Sequence, residues 1–191
     1  MADTAHRDLE RRARQGDPTA AARALSARLR AGALTQERLR LAALVGDPGA
    51  RLALGPAAPA EPADPDGLAA ALQAFGVEVV VRAAVVATRA VTAVADPRQG
   101  WDLARARAAT AAAEAWLACP CDAHVEAARA VGQEGDEDPA YAELAPAWAV
   151  LGPASTRLLA AEVALNTAAG ELGDDVMRRG LRRALAGWAL E

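Results

Sequence analysis

The sequence predicts an all-α protein of about nine helices, arranged as a helical bundle or a short, solenoid-like array of helical hairpins. Three observations lead there. Alanine supplies 55 of the 191 residues, and Ala is the strongest helix former because it loses no side-chain entropy in a helix. Helix punctuation recurs: Asp-Pro stands at 17–18, 47–48, 64–65, 96–97 and 138–139, pairing an N-cap acceptor with a residue that needs no backbone partner at the first helical position. Strand-like alternation of apolar and polar residues is absent.

The first two Asp-Pro steps follow glycine, as Gly16-Asp17-Pro18 and Gly46-Asp47-Pro48. One helix closes on an αL glycine and the next begins at once. Their 30-residue spacing is in the length class of helical repeats. Helices are expected near 4–15, 18–31, 36–45 and 48–54, with Gly32 closing the second and Thr35 capping the third. Leu25 and Leu29 give the second an apolar stripe. These form an amino-terminal helical-hairpin segment, 1–54.

A Pro-rich linker, 55–67, follows. Pro56, Pro59, Pro62 and Pro65 are three apart, the repeat of polyproline II, and read as a spacer. The remainder, 68–191, is expected to form a carboxy-terminal helical bundle. Valines at 77, 79, 80, 81, 85 and 86 favour strands individually. The apolar run nevertheless continues through Val94 without alternation, which suits a buried helix over 68–95, kinked at Gly76. Glu78, Arg82 and Arg89 exclude it as a membrane span.

Over 102–118, Leu103, Ala106, Thr110, Ala113 and Leu117 advance by threes and fours, a seam for a neighbouring helix. Shorter helices are expected at 122–132, 139–151 and 154–169. A last one after Gly173 carries Met177, Leu181, Leu185 and Trp188 on one stripe and Arg178, Arg179, Arg182 and Arg183 on a solvated face. The four tryptophans, Trp101, Trp116, Trp148 and Trp188, are the natural centre of a core otherwise made of small side chains.

Charge narrows the partners. All 21 basic residues are arginine, against 25 acidic ones, for a formal net charge of −4, which repels a phosphate backbone and argues against nucleic acid. Two cysteines make no disulfide framework, and the first twenty residues lack the apolar core of a signal peptide, so a cytoplasmic protein with no membrane association is expected.

One stretch carries candidate chemistry: Cys119-Pro120-Cys121-Asp122-Ala123-His124, followed by Glu126. Two thiolates and an imidazole within six residues supply three ligands to Zn²⁺, with Asp122 or Glu126 as a further oxygen. The competing reading is a plain structural turn in which Pro120 ends one helix and Cys121 or Asp122 starts the next. No second ligand pair accompanies it, since His6 is the only other histidine. The acidic run Glu134, Asp136, Glu137, Asp138 and Glu143 has its glycine, Gly135, misplaced for a calcium loop. Glu114, Glu126 and Glu162 are the material for a helical carboxylate site, but no Glu-x-x-His pair joins them. No nucleophile elbow, phosphate loop or His-Glu-x-x-His is present, so no catalytic residues are assigned and no cofactor beyond that zinc is expected.

The stretch Val79 to His124, above all Ala112 to His124, resembles uncharacterised alanine-rich helical proteins of high-GC bacteria and, distantly, the Imm5-like immunity proteins; Leu9 to Leu54 is similar to the amino-terminal region of the same proteins. Because immunity proteins act by binding a toxin, the resemblance implies an interaction module with another protein as partner, and no catalysis. It transfers no functional residue. The alternatives are a small metal- or thiol-dependent protein centred on Cys119, Cys121 and His124, and a homo-oligomeric structural protein.

Overall fold

A computed structural model of the chain describes residues 2–95, 101–133 and 142–191. All regular structure among them is helical. The all-α class is as the sequence predicts, with a helix number near the nine expected. No helix among the described residues is long and apolar enough to cross a membrane. The Asp-Pro steps at 96–97 and 138–139, and the acidic run from Glu134 to Asp138, lie outside the described residues.

The chain groups into two compact units, Met1–Glu61 together with Arg182–Glu191, and Pro62–Leu181. In the first, α1 (Ala2–Arg14), α2 (Pro18–Arg30), α3 (Gln36–Leu44) and α4 (Pro48–Leu54) follow one another. The two Gly-Asp-Pro steps are built alike. Gly16 and Gly46 both have φ +87°, a backbone that glycine adopts without steric cost. Around each, the glycine N–H bonds back to Ala13 or Ala43, and the following aspartate N–H reaches Arg12 or Ala42, which is the Schellman closure. The same aspartate then caps the next helix, Asp17 accepting from Thr19 and Ala20 and Asp47 from Ala50 at 2.7 Å. Those donors, the N–H of Ala20 first, and the Arg12 guanidinium hold the Asp17 carboxyl below its ordinary pKa.

Helix α2 packs on α1 and α4, and α3 on α4, burying Leu25, Leu39, Leu41 and Leu44. The end of the chain completes this unit. A π-helical turn, Arg182–Ala186, leads into α12 (Gly187–Leu190), and both lie against α3. Arginine fixes them: Arg28 donates to the carbonyls of Leu190 and Glu191, and Arg38 donates to that of Trp188 at 2.6 Å while stacking 5.5 Å from its ring centroid. Charged donors at carbonyls that a helix end leaves unpaired are among the stronger hydrogen bonds.

The second unit holds α5 (Pro65–Gln73), α6 (Val77–Thr92), α7 (Leu103–Ala118), α8 (Asp122–Gln133), α9 (Ala145–Leu151), α10 (Ala154–Leu172) and α11 (Asp174–Leu181), with a short 3-10 turn, Ala142–Leu144, before α9. The valine-rich α6 is its centre, packed against α7, α9 and α10, with Val79, Val80, Val81, Val85 and Val91 all enclosed. Helicity prevails over their β-branching because the enclosed positions fall on a helical face against three neighbours rather than on alternating sides of a strand. The kink expected at Gly76 is a complete break: its φ of +97° ends one helix and starts another. Pro65 opens α5 and so belongs to the helix rather than to the spacer before it. The seam predicted for α7 is present, with Ala106, Thr110 and Ala113 buried and Leu103 and Leu117 half-buried.

Two expectations are corrected. More than half of the buried apolar side chains are alanine, and the fully enclosed larger ones are leucine and valine; every tryptophan is only half-buried. The alanine surfaces let the helix backbones approach too closely for an indole at the centre. The arginine face of the last segment is not all solvated. Arg178 is half-buried, donating to Asp174 at 2.6 Å and to the Ala63 carbonyl, and Arg182 donates to the Val45 carbonyl.

One carboxylate of this unit is unusually placed. Glu162 on α10 faces Asp66 on α5, which Asn166 holds by its side-chain amide. Partial burial first, and the Asp66 charge second, push the Glu162 pKa up. The folded state therefore binds this proton more tightly than the unfolded chain. The associated stability is fully present below the ordinary glutamate pKa and is lost as pH rises through the raised value. Glu162→Gln is expected to abolish that segment of the pH dependence in urea unfolding while leaving the rest of the profile in place.

Candidate metal centre

Helix α7 ends where Pro120 prevents continuation. Cys119 follows it in an extended conformation, its N–H still bonded to Ala115, and two residues later Cys121 stands immediately before α8. The carbonyl of Cys121 accepts from the N–H groups of His124 and Val125, so Cys121 occupies the cap position that serine or aspartate usually takes. The turn is tightened by the Cys121 N–H bonded to the Cys119 carbonyl at 2.8 Å. Since α7 and α8 pack against each other and both against α9, the turn is the tip of a supported helical hairpin.

This local geometry gathers the three predicted ligands. One donor atom from each of Cys119, Cys121 and His124 lies within 4.8 Å of the other two. His124 Nδ1 is 3.4 Å from Cys121 Sγ and 2.8 Å from the Cys119 carbonyl oxygen. A carbonyl only accepts, so Nδ1 carries the proton and Nε2 keeps its lone pair. Cys119 is exposed, while Cys121 and His124 are half-buried.

The two thiols differ in acidity. The His124 backbone N–H first, and the Cys119 side chain second, favour the Cys121 thiolate and lower its pKa. The same contact works in reverse on Cys119, whose pKa the Cys121 side chain raises. One thiol of the pair thus ionises ahead of the other, and a metal that takes both must expel the second proton.

A tetrahedral zinc ion with bonds of about 2.3 Å to sulfur and about 2.0 Å to nitrogen sets its donor atoms roughly 3.5 to 3.8 Å apart. The three donor atoms, all within 4.8 Å of one another, would close by up to about 1 Å around such an ion. The oxygen donors suggested by the sequence are not drawn in. Glu126 pairs with Arg129 at 2.6 Å, and neither it nor Asp122 belongs to the cluster. The other carboxylates are dispersed: Glu114 pairs with Arg89 on α6, Glu162 lies beside Asp66, and Glu143 accepts from the Asp102 N–H.

A second feature of this unit escapes the sequence. Between α6 and α7 lies a cleft of about 400 Å³ lined by Arg89, Thr92, Ala93, Arg107, Thr110, Ala111 and Glu114. Its only linear signal is Arg107, Thr110, Ala111 and Glu114 recurring at helical spacing on one face of α7.

Comparison of the chain with protein-family models, with curated proteins and with solved structures finds no match.

Proposed function

We propose that the protein is an all-helical binding module with no catalysis of its own, whose working centre is a thiophilic metal site at Cys119, Cys121 and His124. The observation that supports it is the convergence of three soft donors at one hairpin tip. Two thiolates and an imidazole are the donor set of zinc and of Cu(I), and are poorly suited to magnesium or calcium. The Nδ1–H bond to the Cys119 carbonyl supplies the outer support that orients a ligating imidazole.

Three donors leave a tetrahedral ion one position short, and Cys119 stands exposed beside it. That position is where an outside donor joins, so metal binding and partner binding are one activity in this reading. An immunity-type module, which holds its protein partner rather than transforming it, fits the same description.

Zinc titration of the protein made without a histidine tag tests it. Close to one equivalent is expected to bind, with affinity falling by about 10- to 100-fold or more in Cys121→Ser and in His124→Ala. Retention of less than about a tenth of an equivalent of zinc or copper, or affinities unchanged by both substitutions, would sink the metal reading.

A further inference from the structure

The cleft between α6 and α7 brings an unpaired cationic group and a hydroxyl together on one face of α7. On α7, Arg107, Thr110, Ala111 and Glu114 share that face; on α6 stand Arg89, Thr92 and Ala93. Arg89 is occupied, since both carboxylate oxygens of Glu114 take its guanidinium at 2.7 and 2.8 Å, and this pair bridges the two helices. Thr92 is occupied as a donor, its hydroxyl bonded to the Thr88 carbonyl at 2.7 Å. Two groups remain. Arg107 makes no ion pair or hydrogen bond among the described residues, and the Thr110 hydroxyl has no partner although the residue is only 6 % exposed.

The enclosed side-chain polar atoms without a partner among the described residues are the indole nitrogens of Trp101 and Trp148; the Thr110 hydroxyl instead keeps access to the cleft, where water or a ligand satisfies it. Thr110 lies one helical turn beyond Arg107 on α7, so a guanidinium and a hydroxyl donor converge on the same space. With the Arg89–Glu114 pair neutral as a unit, the lining carries one net positive charge. The alanines Ala93 and Ala111 add an apolar floor, and about 400 Å³ is the size of a small-molecule site.

We propose that this cleft binds a small organic monocarboxylate, its oxygens held by Arg107 and by the Thr110 hydroxyl and its apolar body resting on Ala93 and Ala111. With the Arg89–Glu114 pair neutral, Arg107 is the single uncompensated charge of the lining and matches one carboxylate, while the apolar body, which inorganic phosphate lacks, uses Ala93 and Ala111.

Calorimetric titration with benzoate, methyl benzoate and inorganic phosphate tests the assignment. Benzoate is expected to bind saturably and to weaken as salt is raised, because Arg107 is exposed. Methyl benzoate, lacking the charge, should not saturate. Arg107→Ala and the near-isosteric Thr110→Val should each weaken benzoate by about tenfold. Both substitutions leave the Arg89–Glu114 bridge intact, and circular dichroism of each variant confirms that the helices persist. Absence of saturable benzoate binding overturns the proposal. So does binding that neither substitution changes, and so does phosphate binding as well as benzoate, which would make the cleft a general anion surface.

Discussion

Leu165→Ala is expected to destabilise the Pro62–Leu181 unit by about 4 kcal/mol, near the upper end for a leucine truncation. Leu165 is fully enclosed on α10, between Ala161, Ala164 and Ala168, also buried on the same helix. The cost of such a truncation depends on how far the surroundings collapse into the space left behind. A leucine or methionine neighbour swings into a cavity, whereas an alanine methyl has no rotatable reach. The two helices packed most extensively on α10 are similarly rigid, since α6 contributes valine and alanine and α9 mostly alanine, while the leucines and methionine on α5 and α11 meet it over a smaller area. Most of the lost volume therefore stays empty. Urea unfolding checks this: the midpoint should fall steeply with little change in slope. A loss under about 1 kcal/mol would show that the alanine-lined core relaxes after all.

Gly49→Val is expected to destabilise the unit that contains it by about 3 kcal/mol. Gly49 lies in the first turn of α4, where α4 crosses α2, and a Cβ placed there would stand 2.7 Å from the Ala21 Cβ. That methyl is attached directly to the α2 backbone, so relief requires moving a helix rather than turning a side chain. Gly170 is the control, a helical glycine on α10 with nothing within 4 Å of an added Cβ. Gly170→Ala should raise stability by about 0.5 to 1 kcal/mol through helix propensity alone. If Gly49→Val proves neutral, the close approach of α2 and α4 does not hold in solution.

What the sequence made legible is what short-range chemistry decides. Asp17, Asp47 and Asp102 cap helices because an aspartate oxygen reaches N–H groups two or three residues ahead, whatever the rest of the chain does. Gly16 and Gly46 end helices for the same local reason. The cluster of Cys119, Cys121 and His124 was legible because the three residues fall within six positions of one turn, so only the turn had to be right. Pairings that depend on the register of distant helices were not. Arg89 meets Glu114 only once α6 and α7 are set side by side, and Glu162 meets Asp66 only through the contact of α10 with α5. The tryptophans were misjudged because side-chain size indicates how much area burial would gain, not whether two alanine-lined helices leave room for a ring. Nothing local marks Arg182–Glu191 as joining the first 61 residues, since the arginines that hold them, Arg28 and Arg38, lie some 150 residues away.

The alanine core also fixes how the protein responds to temperature. The heat-capacity increment of unfolding comes from apolar surface newly exposed to water, offset by polar and backbone exposure of opposite sign. A core in which alanine supplies more than half of the buried apolar side chains releases less of the first for a normal share of the second. The increment per residue is accordingly expected to lie below the usual value of about 12 to 15 cal/mol/K, which flattens free energy plotted against temperature into a broader dome. A chain of this composition changes stability slowly on both warming and cooling, and holds its helices over a wider thermal range than a leucine-rich bundle of the same maximum stability.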